Sequence, residues 1–144
     1  MENTPGTYAL ILENKTLRKI QVGKLGNFSF SPGWYVYTGS AFGPGGLAAR
    51  AGRHVKQEKK CRWHIDYLST RVAVTRVWYT TSPVKLECQW AKHFFDLGGS
   101  LPAKGFGASD CRCDTHLFFF SACPSLSDFQ NLTAPVPLKQ IKIE

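Results

Sequence analysis

Gly33-Trp34-Tyr35-Val36-Tyr37-Thr38-Gly39-Ser40-Ala41 follows the turn signal Ser31-Pro32 and is almost wholly aromatic and β-branched as far as Thr38. That composition, bounded by breakers, reads as a strand. Toward the N-terminus, the apolar run from Thr7 to Leu12 lies between Pro5-Gly6 and Glu13-Asn14-Lys15 and reads as a buried strand. Between the two, Ile20 and Val22 alternate with Lys19 and Gln21, which predicts a half-exposed strand. Three successive strands predict a central antiparallel three-stranded sheet in meander order. Alternation is expected to aim Tyr8 and Tyr37 at one face, with Tyr35 opposite Tyr37 as a structural aromatic.

Toward the C-terminus, Phe42-Gly43-Pro44-Gly45-Gly46 is a breaker-rich loop. From Leu47 to Glu58 breakers are few and one face is basic, so a helix is expected. Trp63, Tyr67 and Leu68 sit at helical spacing, and Val72 to Tyr79 is a β-branched strand. Leu86, Trp90, Phe94 and Leu97 mark an amphipathic helix ended by Gly98-Gly99. Leu117-Phe118-Phe119-Phe120 reads as a closing strand. Strands intermixed with helices predict a small α+β domain over residues 1–123. Residues 124–144, with Pro124, Pro135 and Pro137, read as a loose C-terminal tail whose end, Val136 to Glu144, either docks as an edge strand or stays flexible.

A chain of 144 residues has room for one such domain. A domain of this size buries roughly two-thirds of its unfolded surface, so it needs no staple to fold. Eighteen Lys and Arg against ten Asp and Glu give a net charge of +8. That excess points to a polyanionic partner, nucleic acid before a membrane surface, with a charge that merely keeps the chain soluble as the bland alternative. No apolar run nears the roughly 20 residues of a membrane span, so no membrane partner is expected. The five cysteines are odd in number and follow no secretory signal, so reduced thiols in the cytoplasm are expected.

The residues able to do chemistry occur in a definite order. Gly6-Thr7-Tyr8 opens the first strand, and Tyr37-Thr38-Gly39-Ser40-Ala41 closes the aromatic one. Arg50 lies on the following helix with His54 one turn later, and Glu87 sits early on the amphipathic helix. Phosphodiester hydrolysis needs charge stabilisation, a proton acceptor and a cation site. Arg50 offers a planar fork of donors that stays charged. A lone Glu suffices for Mg²⁺, which keeps most of its waters. A phenol with an ordinary pKa near 10 is a poor base unless its surroundings help. Each residue also has a bland reading: Glu87 as a helix-N-terminal acid, Arg50 on a solvated helix face, His54 on the surface, both tyrosines as sheet aromatics.

The order of these segments resembles the GIY-YIG nuclease superfamily. The quoted strand, Arg62-Trp63-His64-Ile65-Asp66-Tyr67-Leu68, and Gly105-Phe106-Gly107-Ala108-Ser109-Asp110-Cys111-Arg112-Cys113 are similar to its Uri-like endonuclease branch, from Gly6 to about Phe120. The resemblance implies a divalent-metal-dependent endonuclease acting on nucleic acid, DNA before RNA, with Mg²⁺ or Mn²⁺. In this chain it implies Tyr8 and Tyr37 as proton handlers, Arg50 and His54 at the phosphate, and Glu87 as metal ligand. The chain departs from the family's pattern at Ser40, where many relatives carry Lys, and lacks an Asn after the Glu87 helix; Ser109 and Asp110 are the candidates to replace it. Around this core, Gly39, Ser40, Arg53, Lys56, Lys59, Lys60 and Arg62 are the expected nucleic-acid contacts.

Cys111, Cys113 and His116 form a compact Cys-x-Cys-x-x-His, with His64, Cys61 or Cys88 as candidates for a fourth ligand to structural Zn²⁺. The spacing is tighter than a usual zinc knuckle, and reduced core cysteines are the favoured reading. His64 and Asp66 form a second candidate pairing, the carboxylate orienting the imidazole. Two rivals to the nuclease follow: a nucleic-acid-binding module that has lost cutting, and a small zinc-organised structural protein.

Overall fold

The computed structural model describes residues 1–143; Glu144, the last residue of the expected edge strand, lies outside them. The elements run β1 (Thr7–Asn14), β2 (Arg18–Val22), β3 (Gly26–Phe30), β4 (Gly33–Ser40), α1 (Gly46–Val55), α2 (His64–Ser69), β5 (Ala73–Thr80), α3 (Glu87–Asp96), β6 (Leu117–Phe120), α4 (Leu126–Thr133) and β7 (Lys139–Lys142). The α+β class is as expected; the sheet is larger. Five strands pair antiparallel in the order β6–β4–β1–β5–β7.

The three-stranded meander is therefore a correction. β1 is flanked by β4 on one side and β5 on the other, which leaves β2 no edge to join. β2 turns back instead on β3, a strand the sequence reading passed over, and the two form a separate hairpin. Its alternation still serves packing: Ile20, Val22 and Phe30 point into the core while Lys19 and Gln21 face solvent.

Two cores lie on opposite faces of the sheet. Tyr8, Leu10 and Leu12 of β1, with Tyr35 and Tyr37 of β4, pack beneath the hairpin, α1 and α2. Ala9, Ile11 and Val36 point the other way, into Trp78, Trp90, Phe94 and Phe118. β1 is buried on both faces, which is why it reads as a continuous apolar run. Tyr35 thus shares a face with Tyr37 rather than opposing it, because residues two apart on a strand point the same way.

The stretch expected as a loose tail is built into the fold. Ser125 caps α4 by accepting the Asp128 N–H, and Phe129 is fully buried against Trp90, 5.0 Å away, and Phe94, 4.3 Å away. Beyond α4, β7 covers the outer edge of β5, and Gln140 accepts a hydrogen bond from the Trp78 indole at 2.8 Å. In the sequence its apolar positions are masked by Pro124, Pro135 and Pro137 on either side. Among the described residues, no helix is long and apolar enough to cross a membrane.

Candidate active site and metal-binding cluster

β1 and β4 set the two tyrosines. Tyr8 sits across from Gly39 in the strand register, and a β-carbon at position 39 would collide with the Tyr8 ring. Gly39 is thus required for ring packing. Gly107 plays the same part for Tyr37: a β-carbon there would lie 2.8 Å from the ring, at a backbone φ of 68°. The α1 register then brings up the helix residues. Leu47, Ala51 and His54 are buried, and Arg50 shares their side one turn before His54. The first amides of α1 are already satisfied, since Leu47 and Ala48 donate to the carbonyls of Thr4 and Glu2. On the far side of the sheet, the Leu86 N–H donates to Thr7 Oγ1 at 3.2 Å, which ties the start of α3 to the start of β1 and delivers Glu87 to the same end of the sheet as Tyr8.

These elements enclose a polar cleft of about 260 Å³ lined by Tyr8, Tyr37, Arg50, His54 and Glu87. Gly39, Ser40 and Arg62 line it too, as do Trp63, His64, Ser109 and Asp110. All five residues expected at the chemical centre therefore face one concavity. Tyr8 Oη and His54 Nε2 lie 2.7 Å apart. Burial pushes His54 down to about 3, reinforced by nearby Lys59, so the imidazole is neutral at any working pH. Nε2 shares this bond with the Tyr8 hydroxyl, and Nδ1 is buried with no partner among the described residues. Burial raises Tyr8 well above the ordinary phenol value, and Arg50 opposes the shift. Tyr37 is raised likewise by burial and by Glu87. Ser40 Oγ is buried on the cleft wall without a hydrogen-bond partner among the described residues.

The structure separates the expected nucleic-acid contacts. Arg50 and Arg53 each place a guanidinium 4.5 Å from the ring centre of Trp63, a cleft-lining aromatic the sequence reading had assigned only to helix packing. Arg53, expected on a phosphate, is engaged within the fold: it pairs with fully buried Asp66 at 2.6 Å and donates to the Lys60 carbonyl at 2.9 Å. A buried carboxylate demands such partners. Burial alone would raise Asp66, but Arg53 and the amides of Trp63 and Arg62 outweigh it and hold the carboxyl below its usual range. Lys59 is engaged within the fold as well. Its ammonium donates to the carbonyls of His54 and Arg53 at 2.9 and 3.1 Å, closing the C-terminus of α1 three residues short of the expected Glu58. Lys56, Lys60 and Arg62 are exposed, and only Arg62 of these lines the cleft.

A second constellation adjoins the first. Ligand atoms of Cys88, Cys111, Cys113 and His116 all lie within 4.8 Å of one another, a group that could hold a metal ion. The cysteines are free, as expected, but Cys88 is exposed and Cys111 and Cys113 are half-buried, so these three stand at the rim of the core rather than inside it. His64, the fourth ligand first considered, is corrected as well: its Nδ1 accepts the Gly107 N–H at 2.8 Å, and it pairs neither with the cluster nor with Asp66. Of the two other candidates, Cys61 lies outside the group and Cys88 completes it, because the fold brings the start of α3 to the loop 105–116. His116 Nε2 faces Cys111 Sγ at 3.1 Å, while its Nδ1 lies 2.7 Å from Thr38 Oγ1.

The fold and the cleft together define a small α+β domain with a polar site at one end of its sheet. The chain belongs to the family described as "Domain of unknown function DUF123", whose family model matches residues 7–135. That match extends from β1 through α4. No curated protein and no solved structure matches the chain.

Proposed function

We propose that the protein is a divalent-metal-dependent endonuclease that hydrolyses phosphodiester bonds of nucleic acid, DNA in preference to RNA. One observation carries the reading: Tyr8, Tyr37, Arg50, His54 and Glu87, drawn from two strands and two helices, line the same polar cleft. The resemblance of these segments to GIY-YIG nucleases supports the same conclusion independently of the geometry. Structural residues alone have no need to meet this way, and Arg50 and Glu87 come from helices on opposite faces of the sheet.

In this reading Arg50 binds the scissile phosphate through its planar donors and stabilises the charge that builds on it. Glu87 holds Mg²⁺ or Mn²⁺. The donor set fits: a half-buried carboxylate with exposed Asp110 on the same cleft suits a cation that takes one or two carboxylates and keeps its waters. When bound, the ion supplies charge neutralisation and an acidified water. Because burial raises both phenols, a free phenolate does not accumulate at neutral pH. Tyr8 accepts the proton of the attacking water only as a transient phenolate that Arg50 and the bound cation would stabilise, and its bond to His54 Nε2 holds the ring in place. Tyr37 lines the same cleft and orients the water or phosphate. Ser40 Oγ, otherwise without a partner, donates to a phosphate oxygen where many GIY-YIG relatives use Lys.

The test is cleavage of labelled single-stranded, duplex and branched DNA and RNA in Mg²⁺, Mn²⁺ or EDTA. Cutting in the divalent ions and none in EDTA is expected, and Glu87→Ala should abolish it while retaining fold and nucleic-acid affinity. Salt-sensitive binding with no cleavage in any ion would identify instead a binding module on the same scaffold. Wild-type cleavage by Glu87→Ala would remove Glu87 from the mechanism.

A further inference from the structure

We infer that Cys88, Cys111, Cys113 and His116 form a closed tetrahedral Zn²⁺ site that clasps the loop 105–116 to the first turn of α3. The site is separate from the Mg²⁺ site proposed at Glu87 and does not depend on it. Three lines of geometry and chemistry lead here.

The first is size. Zn–S bonds of about 2.3 Å in a tetrahedron place neighbouring sulfurs about 3.8 Å apart. The four ligand atoms here all fall within 4.8 Å of one another, so a sub-ångström contraction brings them onto one ion. A binuclear iron–sulfur cluster would need ligands on opposite irons to stand farther apart than one tetrahedral edge. A single ion fits the spacing.

The second is ligand type. Three thiols and one imidazole are soft and borderline donors, which select Zn²⁺ over Mg²⁺ or Ca²⁺. Four protein ligands fill the tetrahedron and leave no position for water, which makes the ion structural rather than hydrolytic. Binding converts the three thiols to thiolates with release of three protons, and the neutral imidazole gives its lone pair. Cys88 lies in the first turn of α3.

The third is orientation, and it is the least expected of accident. His116 is buried with Nε2 turned to the sulfurs and Nδ1 at 2.7 Å from Thr38 Oγ1. A histidine that ligates through Nε2 carries its proton on Nδ1 and donates it to a fixed oxygen, which sets the ring plane. Thr38 is buried on β4, directly between Tyr37 and Gly39, and its N–H donates to the His116 carbonyl at 3.0 Å. The strand that carries Tyr37 thus also fixes the ligand. Cys111 and His116 line the cleft, and Cys88 follows Glu87 in the chain. The ion would therefore fasten the loop that carries Ser109 and Asp110 to the start of α3 beside Glu87.

The experiment is elemental analysis and zinc-edge X-ray absorption on the full chain, prepared under reducing conditions with Zn²⁺ and freed of loose metal. About one Zn²⁺ per chain in an S₃N first shell is expected. Co²⁺ exchanged into the site should give the intense visible bands of tetrahedral thiolate coordination. Cys113→Ser should lose retained zinc. Thr38→Val, which keeps shape but removes the oxygen, should weaken zinc by about 10–100-fold in a competition with a chromophoric chelator. Should Cys113→Ser fail to fold, mercurial titration of the wild-type thiols still decides, because zinc must leave in step with modification. Wild-type protein that retains no zinc, or an oxygen-rich shell, or zinc unaffected by Thr38→Val, would overturn the inference. None of these readouts involves cleavage, so a zinc-loaded protein that does not cut would sink the nuclease reading alone.

Discussion

The two faces of β1 are built from the same strand and have opposite characters. The odd-numbered residues Ala9 and Ile11 look into a dry core where Trp78, Phe94 and Phe129 stack, with ring centres 4.3 Å apart for Phe94 and Phe129. The even-numbered side begins as dry, at Leu10 and Leu12, but ends at Tyr8 in a phenol bonded to a buried neutral histidine beside two arginines. The dry face can tolerate any well-packed set of apolar groups of the right volume. The cleft face holds polar atoms at burial levels that need a specific partner, and Ser40 Oγ and His54 Nδ1 have none among the described residues. Unsatisfied polar atoms are costly, so a side chain that leaves one buried is not there for packing alone.

If that contrast is right, the dry face should carry stability and the cleft face function. The largest stability loss is expected from Phe129→Ala. Its ring is fully buried among Trp78, Trp90 and Phe94, and removing it leaves a cavity worth about 3–5 kcal/mol. Urea denaturation measures it, and cleavage at a temperature where the variant stays folded should be unchanged. A loss under about 1 kcal/mol would mean that α4 is dispensable and the fold ends near Cys123.

The cleft face should instead be acid-sensitive. His54 falls from an ordinary 6.5 to about 3 on folding, because burial disfavours its charged form. The unfolded chain therefore binds a proton that the folded chain does not, between about pH 6.5 and 3. Stability contributed by the neutral ring is full above pH 6.5 and is lost as pH falls, by roughly 2–3 kcal/mol at pH 4.5. His64 and His93 are lowered by burial too and add in the same direction. Asp66 is also lowered, so its contribution falls away only below the ordinary carboxylate value and leaves this window to the histidines. Denaturation at pH 7, 5.5 and 4.5 should show the decline, and His54→Gln should flatten it by about one proton. An equal slope in the variant would mean that the ring is protonated in the folded state.

How much of this could be read beforehand divides along the same line. β1, β4, β5, α3 and β6 were legible because each announces itself locally, by an apolar run, by alternation or by a spacing of three and four. The members of the cleft were legible because their order along the chain resembles a known nuclease pattern. What the sequence hid is long-range. Whether β2 or β5 pairs with β1 depends on competition for an edge, which alternation within β2 does not encode. Cys88 and Cys111 are distant in sequence and meet only because α3 and the 105–116 loop close on the same end of the sheet. Charge was the most misleading signal. Arg53 and Lys59 sit in a basic run and look alike on paper, yet Asp66 claims one and the α1 carbonyls the other.

That last distinction gives the smallest and most discriminating prediction. Lys59 and Lys60 are neighbours of equal formal charge. Burial, with Arg53 adding to it, pushes the Lys59 ammonium down to about 8, while its two carbonyl bonds hold it at the α1 C-terminus. Lys60 is exposed and gives the helix only its backbone carbonyl, to Arg53. Lys59→Ala should therefore cost about 0.3–1 kcal/mol of stability, the usual worth of a cation at a helix end. It should leave the salt dependence of nucleic-acid binding unaltered. Lys60→Ala should leave stability within about 0.5 kcal/mol of wild type, as surface changes do. If Lys60 touches a phosphate of duplex DNA, its removal should flatten the log–log salt slope by about 0.9. Binding titrations across a salt series separate the two. The reverse pattern, with the slope following Lys59, would mean that the ammonium abandons its carbonyls for phosphate when DNA arrives, and that the end of α1 reorganises on binding.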